Sequence, residues 1–177
     1  MIKKVLIGVI GSAFLVLAGI FGLMLYVMSD MEIEHLISCS SNEGGTRIPS
    51  GLCEYYMLNH RITESDIEQL GDGAGLEYIL NSENPKKYKI AEIFISKGLD
   101  VNGINHYIDK DVTPLHAAVM YNDVERVKFL IDQDADVHIV SSGYGMTALE
   151  LAKRFHEETG KENRSEIIQL LSDAESE

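Results

Sequence analysis

The chain has 177 residues, no tryptophan, 15 Lys and Arg against 28 Asp and Glu, and a formal net charge of −13. That length accommodates one small domain plus an extra element. So acidic a surface repels phosphate backbones and argues against nucleic acid. It favours a basic protein partner, although plain solubility accounts for it equally well.

The first stretch decides the compartment. After Met1-Ile2-Lys3-Lys4 comes an uncharged run from Val5 to Met28, 24 residues with only Ser12 clearly polar. About 20 such residues cross a bilayer core, whereas a secretory signal has roughly 7–15 apolar residues and a small-residue cleavage site. This run ends L-Y-V-M-S-D without such a site, and Leu17-Ala18-Gly19 is followed by Ile20 where a lipid-bearing cysteine would stand. The expectation is an uncleaved signal anchor over residues 1–29, with a cleaved signal peptide as the alternative. Lys3 and Lys4 put the short side in the cytoplasm, so the rest of the chain is expected across the membrane. For a bacterium that means a single pass of the inner membrane and a periplasmic C-terminal domain, or a soluble periplasmic protein if the signal is removed. Gly8, Gly11, Gly19 and Gly22 permit close helix approach, a weak signal in a membrane span.

Residues 30–73 form a second region. Cys39 and Cys53 flank the turn-rich S-S-N-E-G-G-T-R-I-P-S-G-L. In an oxidising compartment a disulfide is the expected pairing, with a metal pair or two free thiols as alternatives. His35 and His60 are nearby, but no C-x-x-C or H-x-x-x-H spacing exists, which disfavours zinc. From Leu52 the pattern becomes helical, with Leu52, Tyr55, Tyr56 and Leu58 on one side. Thr63 with Asp66 three later marks another helix start, followed by Ile67 and Leu70.

The most informative stretch is Thr113 to His138, T-P-L-H-A-A-V-M-Y-N-D-V-E-R-V-K-F-L-I-D-Q-D-A-D-V-H. Thr113 can cap a helix whose first position is Pro114. Asn122-Asp123 break it, and a second helix follows with Val124, Val127, Leu130 and Ile131 on one face. Asp134 stands where a glycine often ends such a helix. A hairpin this short must stack on copies of itself to bury that face. The unit resembles an ankyrin repeat, carrying the T-P-L-H-x-A pattern as Thr113, Pro114, Leu115, His116 and Ala118. Two further units align. One holds Leu76–Leu80 and then Ile90, Ile93, Phe94 and Ile95. The other runs Thr147–Ala152 and then Ile167, Ile168, Leu170 and Leu171. Thr113 to Thr147 is 34 residues, while Leu76 to Leu115 is 39, so the first unit carries insertions.

The resemblance implies an all-α ankyrin solenoid of about three repeats over residues 74–177, behind a cysteine-containing linker and helical cap over 30–73. It also implies that partners dock on the fingers between units and on the groove beside the first helices. The first finger is long and places Ile104, Tyr107 and Ile108 in a loop, to bind a partner or to fold back on its neighbour. The second presents Tyr144. The groove positions map to Asn81 and Ser82, to Met120 and Tyr121, and to Arg154 and Phe155. Ile104, Tyr107, Ile108, Met120, Tyr121, Tyr144, Arg154 and Phe155 are therefore the candidate contact residues, rich in types enriched at interfaces.

No catalytic reading survives inspection. Gly71-x-Gly73-x-Gly75 lacks the preceding strand and following Lys-Ser/Thr of a phosphate loop. Ser141-Ser142-Gly143-Tyr144-Gly145 is not a nucleophile elbow. In the family, a histidine placed as His116 makes structural hydrogen bonds. His106, His138 and His156 lie in separate units without metal-ligand spacing, and Asn163-Arg164-Ser165 is a sequon meaningful only in a eukaryotic secretory pathway. The expectation is a protein-binding module with no catalytic or metal site, no cofactor and no small-molecule substrate. Small exported ankyrin proteins resemble bacterial immunity proteins that block toxins of the type VI kind. The alternatives are a scaffold subunit of an inner-membrane complex and an accessory of periplasmic oxidative-stress defence.

Overall fold

In the computed structural model, which describes residues 2–108, 111–159 and 162–176, the apolar run and its flanks form a single helix, α1 (Ile2–Asp30). Phe14, Leu15, Val16 and Leu17 cover a full turn and are 61–72% exposed. A helix apolar on every face belongs in hydrocarbon or in a protein core, and no core surrounds this one. Ile10–Asp30 is long and apolar enough to cross a membrane, as an anchor or a signal sequence would be. Every named element among the described residues is a helix.

The chain divides into two compact units, residues 1–61 and 62–177. In the first, α1 is followed by α2 (Ile33–Ser40) and α3 (Ser50–His60), which pack on each other. Where the sequence suggested only a linker, Ile33, Leu36, Ile37 and Cys39 bury one face of α2. A disulfide joins Cys39 of α2 to Cys53 of α3, with a Cα–Cα distance of 5.8 Å. The buried face of α3 differs from the expected Leu52, Tyr55, Tyr56, Leu58 stripe. Cys53 and Met57, one turn apart, are buried, and Tyr55 is 60% exposed. The cystine sets the helix rotation, because Cys53 must face α2 and Met57 follows it on the same side. Arg61 closes the unit by donating from Nη1 to the carbonyls of Met28 (3.1 Å) and Met31 (2.9 Å). It thereby satisfies acceptors left open at the end of α1.

Replacing both cysteines with serine removes a cross-link that closes a 14-residue separation. The expected cost is about 3 kcal/mol for opening the α2–α3 pair. Amide exchange in these helices should then accelerate by roughly two orders of magnitude. Unchanged exchange would contradict this account.

The second unit begins with α4 (Glu64–Gly71), started by a complete capping box. Thr63 Oγ1 accepts from the Asp66 amide, and the Asp66 carboxylate accepts from the Thr63 amide at 3.0 Å. Three helical hairpins follow: α5 (Leu76–Leu80) with α6 (Lys87–Ser96), α7 (Pro114–Met120) with α8 (Val124–Asp132), and α9 (Ala148–Thr159) with α10 (Ser165–Ala174). α7 packs on α9 and α8 on α10, while Tyr88 of α6 meets Phe129 of α8 with ring centroids 5.0 Å apart. Ala117 and Ala118 are buried and let the neighbouring first helix approach. On the second helices the buried set is narrower than the apolar pattern: Ile90, Ala91 and Phe94, then Val127 and Leu130, then Ile167 and Leu171. Ile93, Ile95, Val124, Ile131, Ile168 and Leu170 are half-buried. Asp134 ends α8 at φ 60°, in the role that Gly98 (φ 106°) plays after α6. The boundary between units falls between α3 and α4, the two helices expected to form one cap.

Candidate partner-binding surface

The long first finger is pinned at its base and open at its tip. The His106 amide donates to the Gly73 carbonyl (2.9 Å), and Asn105 donates from Nδ2 to Glu77 Oε2 (3.4 Å). Gly75 permits this crossing. Its φ of 60° is one that residues with a Cβ rarely adopt, while the carbonyl oxygens of Ile104 and Gly103 lie at ordinary contact distance from that position. The Asn105 side chain also accepts from the Tyr107 amide (2.9 Å), which turns the chain outward. Ile104 is half-buried in the fold-back, whereas Tyr107 is 66% and Ile108 44% exposed. The two readings of this loop therefore apply to different residues: Ile104 folds back, and Tyr107 and Ile108 are displayed.

The second finger is stapled to the first. Asn102 Oδ1 accepts from the Asp136 amide (2.9 Å), and the hydroxyls of Ser141 and Ser142 donate to the carbonyl and carboxylate of Asp111. Val140, beside Ser141, is 57% exposed. Asp100, Asp111, Asp134 and Asp136 are exposed, and Lys110 is the one Lys or Arg in the sequence of the two fingers, residues 100–111 and 134–145. Tyr144 is half-buried and meets Phe155 edge-on, with centroids 6.4 Å apart.

Two arginines that the sequence reading did not single out are buried, Arg126 in α8 to 5% and Arg164 just before α10 to 4% exposure. Arg126 reaches back one repeat, donating from Nη2 to the Leu80 carbonyl (2.8 Å) and from Nη1 to Asn81 Oδ1 (2.9 Å). Its Nη1 also lies 3.5 Å from Oε1 of the buried Glu77. Arg164 repeats the device one unit later, donating from Nη1 to the Val119 carbonyl and pairing with Glu162 at 2.7 Å. Each guanidinium also covers an aromatic ring, Arg126 over Tyr121 at 5.5 Å and Arg164 over Phe155 at 5.3 Å. Such cation–π contacts fix ring orientation as well as adding attraction.

The groove candidates therefore differ in kind. Tyr121 contacts Arg126 on one face of its ring and is 61% exposed. Met120 and Phe155 are half-buried, and Ser82 is buried. Asn81 is committed to Arg126 and Glu77. Arg154 is exposed and pairs with Glu158 one turn on (2.8 Å), beside a shallow depression of about 530 Å³ lined by Glu150, Lys153 and Glu157. The structure brings Tyr144 and Phe155 together and leaves Tyr107, Ile108 and Tyr121 as the accessible apolar candidates.

His116 is an inter-repeat strut. Its ring lies 3.1 Å from the Met146 carbonyl through Nε2 and 2.8 Å from Thr113 Oγ1 through Nδ1. A carbonyl only accepts, so Nε2 carries the proton and Nδ1 accepts from the threonine hydroxyl. Burial lowers its pKa, partly opposed by the Met146 carbonyl. The neutral ring is thus preferred in the fold, while the unfolded chain protonates near the ordinary value of about 6.5. Stability from His116 is full above that pH and is lost as pH falls through it toward the depressed folded value. Thermal unfolding should show a fall between about pH 7 and 5.5 that is absent from His116→Gln; a fall of equal size in both proteins would remove His116 as its cause.

Among the described residues no group of three His, Cys, Asp or Glu side chains is placed to hold a metal ion. No curated protein sequence matches the chain. A model of ankyrin repeats in three copies matches residues 79–177, more than half of the sequence. Stacked helical hairpins, the capped Thr-Pro-Leu-His turn and the His116 strut agree with that match, and the chain belongs to the ankyrin-repeat family.

Proposed function

We propose that the protein is a membrane-anchored immunity protein, whose repeat unit lies in a bacterial periplasm and captures a secreted antibacterial toxin with a basic surface. Ankyrin repeats are protein-interaction modules, and what carries the finer reading is the finger surface. There Tyr107 and Ile108 stand exposed on a pinned loop, and exposed acids outnumber cations across the two fingers, with Asp100 and Asp111 in the first and Asp134 and Asp136 at the start of the second. Apolar anchors provide affinity, and surrounding carboxylates speed the encounter with a cationic partner. The apolar α1 and the cystine are features of an exported chain.

The test is protection. A sensitive bacterium expressing the chain is challenged with the toxin encoded beside its gene, and survival is expected to rise by orders of magnitude. No protection, or no toxin-like neighbour, removes the proposal. A scaffold role within a membrane complex is the second reading, in which α1 itself makes protein contacts. Exchanging residues 1–29 for a cleaved signal separates the two. An immunity protein keeps protecting, and a complex subunit loses its function.

A further inference from the structure

We infer that α3 is a membrane-interface element: its C-terminal aromatic cluster, Tyr55, Tyr56 and His60, lies in the phospholipid headgroup layer at the end of the α1 span. The inference rests on the proposal that α1 spans a bilayer, and it adds an occupant for a surface that proposal leaves unused.

The level of the cluster follows from Arg61. Its guanidinium donates to the carbonyls of Met28 and Met31, so the end of α3 is tied to the last turn of α1. Tyr26, 70% exposed, is two residues before Met28, or about 3 Å along the helix axis. Tyrosine at the end of a span marks the boundary between hydrocarbon and headgroups, where its ring is apolar and its hydroxyl wet. Arg61 therefore sits at that boundary. The cluster is close to it because His60 directly precedes Arg61, and the rings of Tyr56 and Tyr55 lie 5.1 and 6.3 Å from that of His60. Tyr55 is 60% exposed although α3 has a buried face of its own, Cys53 and Met57. The cystine to α2 fixes the helix rotation, so Tyr55 cannot turn inward without breaking it. An exposed aromatic tied to the end of a span fits the headgroup layer, about 5–7 Å deep on each side of the hydrocarbon, better than it fits bulk water.

The absence of tryptophan makes the test direct, because one substitution introduces one fluorophore. The full chain is reconstituted in phosphatidylcholine vesicles as Phe14→Trp, Tyr55→Trp and His60→Trp, with lipids spin-labelled at the headgroup or deep in the acyl chain and N-acetyltryptophanamide in the buffer of a parallel sample as the water reference. Phe14→Trp should be quenched mainly by the deep label. Tyr55→Trp and His60→Trp should be quenched at least three-fold more by the headgroup label than by the deep one. If Phe14→Trp responds but Tyr55→Trp and His60→Trp behave as the water reference does, the interface assignment is wrong and the anchor stands. If Phe14→Trp does not respond to the deep label, the anchor reading fails and this inference fails with it. Using two reporter sites in α3 guards against a local folding defect at either one.

Discussion

Replacing Arg126 with alanine is expected to destabilise the repeat unit by about 3 kcal/mol, lowering its melting temperature by roughly 10 °C. The side chains of Arg126 and Glu77 are 6% and 4% exposed, so neither charge is shielded by water. Alanine removes the donor to the Leu80 carbonyl and leaves the Glu77 carboxylate buried with only the amides of Asn81 and Asn105 within reach. An unpaired buried charge costs more than the pair contributes, so the double variant Arg126→Met/Glu77→Leu should recover most of the loss. Calorimetry of the three proteins checks both points. A loss below 1 kcal/mol for Arg126→Ala would mean that the clasp is incidental to the stack.

Tyr107→Ala and Tyr121→Ala are expected to weaken partner binding by about 2 kcal/mol each, some 30-fold in Kd, with melting temperature nearly unchanged. Both rings are largely exposed, so truncation opens no cavity. The Tyr107 backbone is fixed by the Asn105 turn and the Tyr121 ring lies under Arg126, which lowers the ordering cost of binding. Phe155→Ala should behave oppositely, because the ring lies under Arg164 and against Tyr144. Its truncation should lower stability first. Arg154→Ala should do little to stability, since its pair with Glu158 is exposed and such pairs contribute at most about 1 kcal/mol. Calorimetric titration with a bound protein partner reads these differences. Equal affinity of Tyr107→Ala and the parent would move the contact surface elsewhere.

The repeats were legible because their signals are local. Thr113, Pro114 and the Asn122-Asp123 break act within one or two turns, and the 34-residue spacing from Thr113 to Thr147 repeats them. The finger was legible only as a loop carrying Ile104, Tyr107 and Ile108, because display or fold-back depends on the tertiary bonds of Asn105 and His106. The arginine clasps were not legible. A charged residue on a short helix reads as solvated, and its burial depends on the carbonyls that the preceding repeat leaves open. One signal was present: Tyr121 and Phe155 are 34 residues apart, and Arg126 and Arg164 are 38 apart. Helix α2 was hidden for another reason. Its eight residues, Ile33–Ser40, gain their order from packing on α3 and from the cystine, not from propensity. The same cross-link rotated α3 away from the face that its apolar pattern suggested.

The recurrence of the clasp bears on how such a chain can lengthen or shorten. The acceptors Leu80 and Val119 are 39 residues apart, close to the 38 between their donors. Excision of the middle repeat would therefore deliver Arg164 to the open carbonyls after α5, beside a Glu77 that still needs a cation. Duplication of that repeat would insert one more donor together with one more acceptor. The joint works as an interchangeable fitting, so recombination can trade whole units while every buried guanidinium still finds a place to dock.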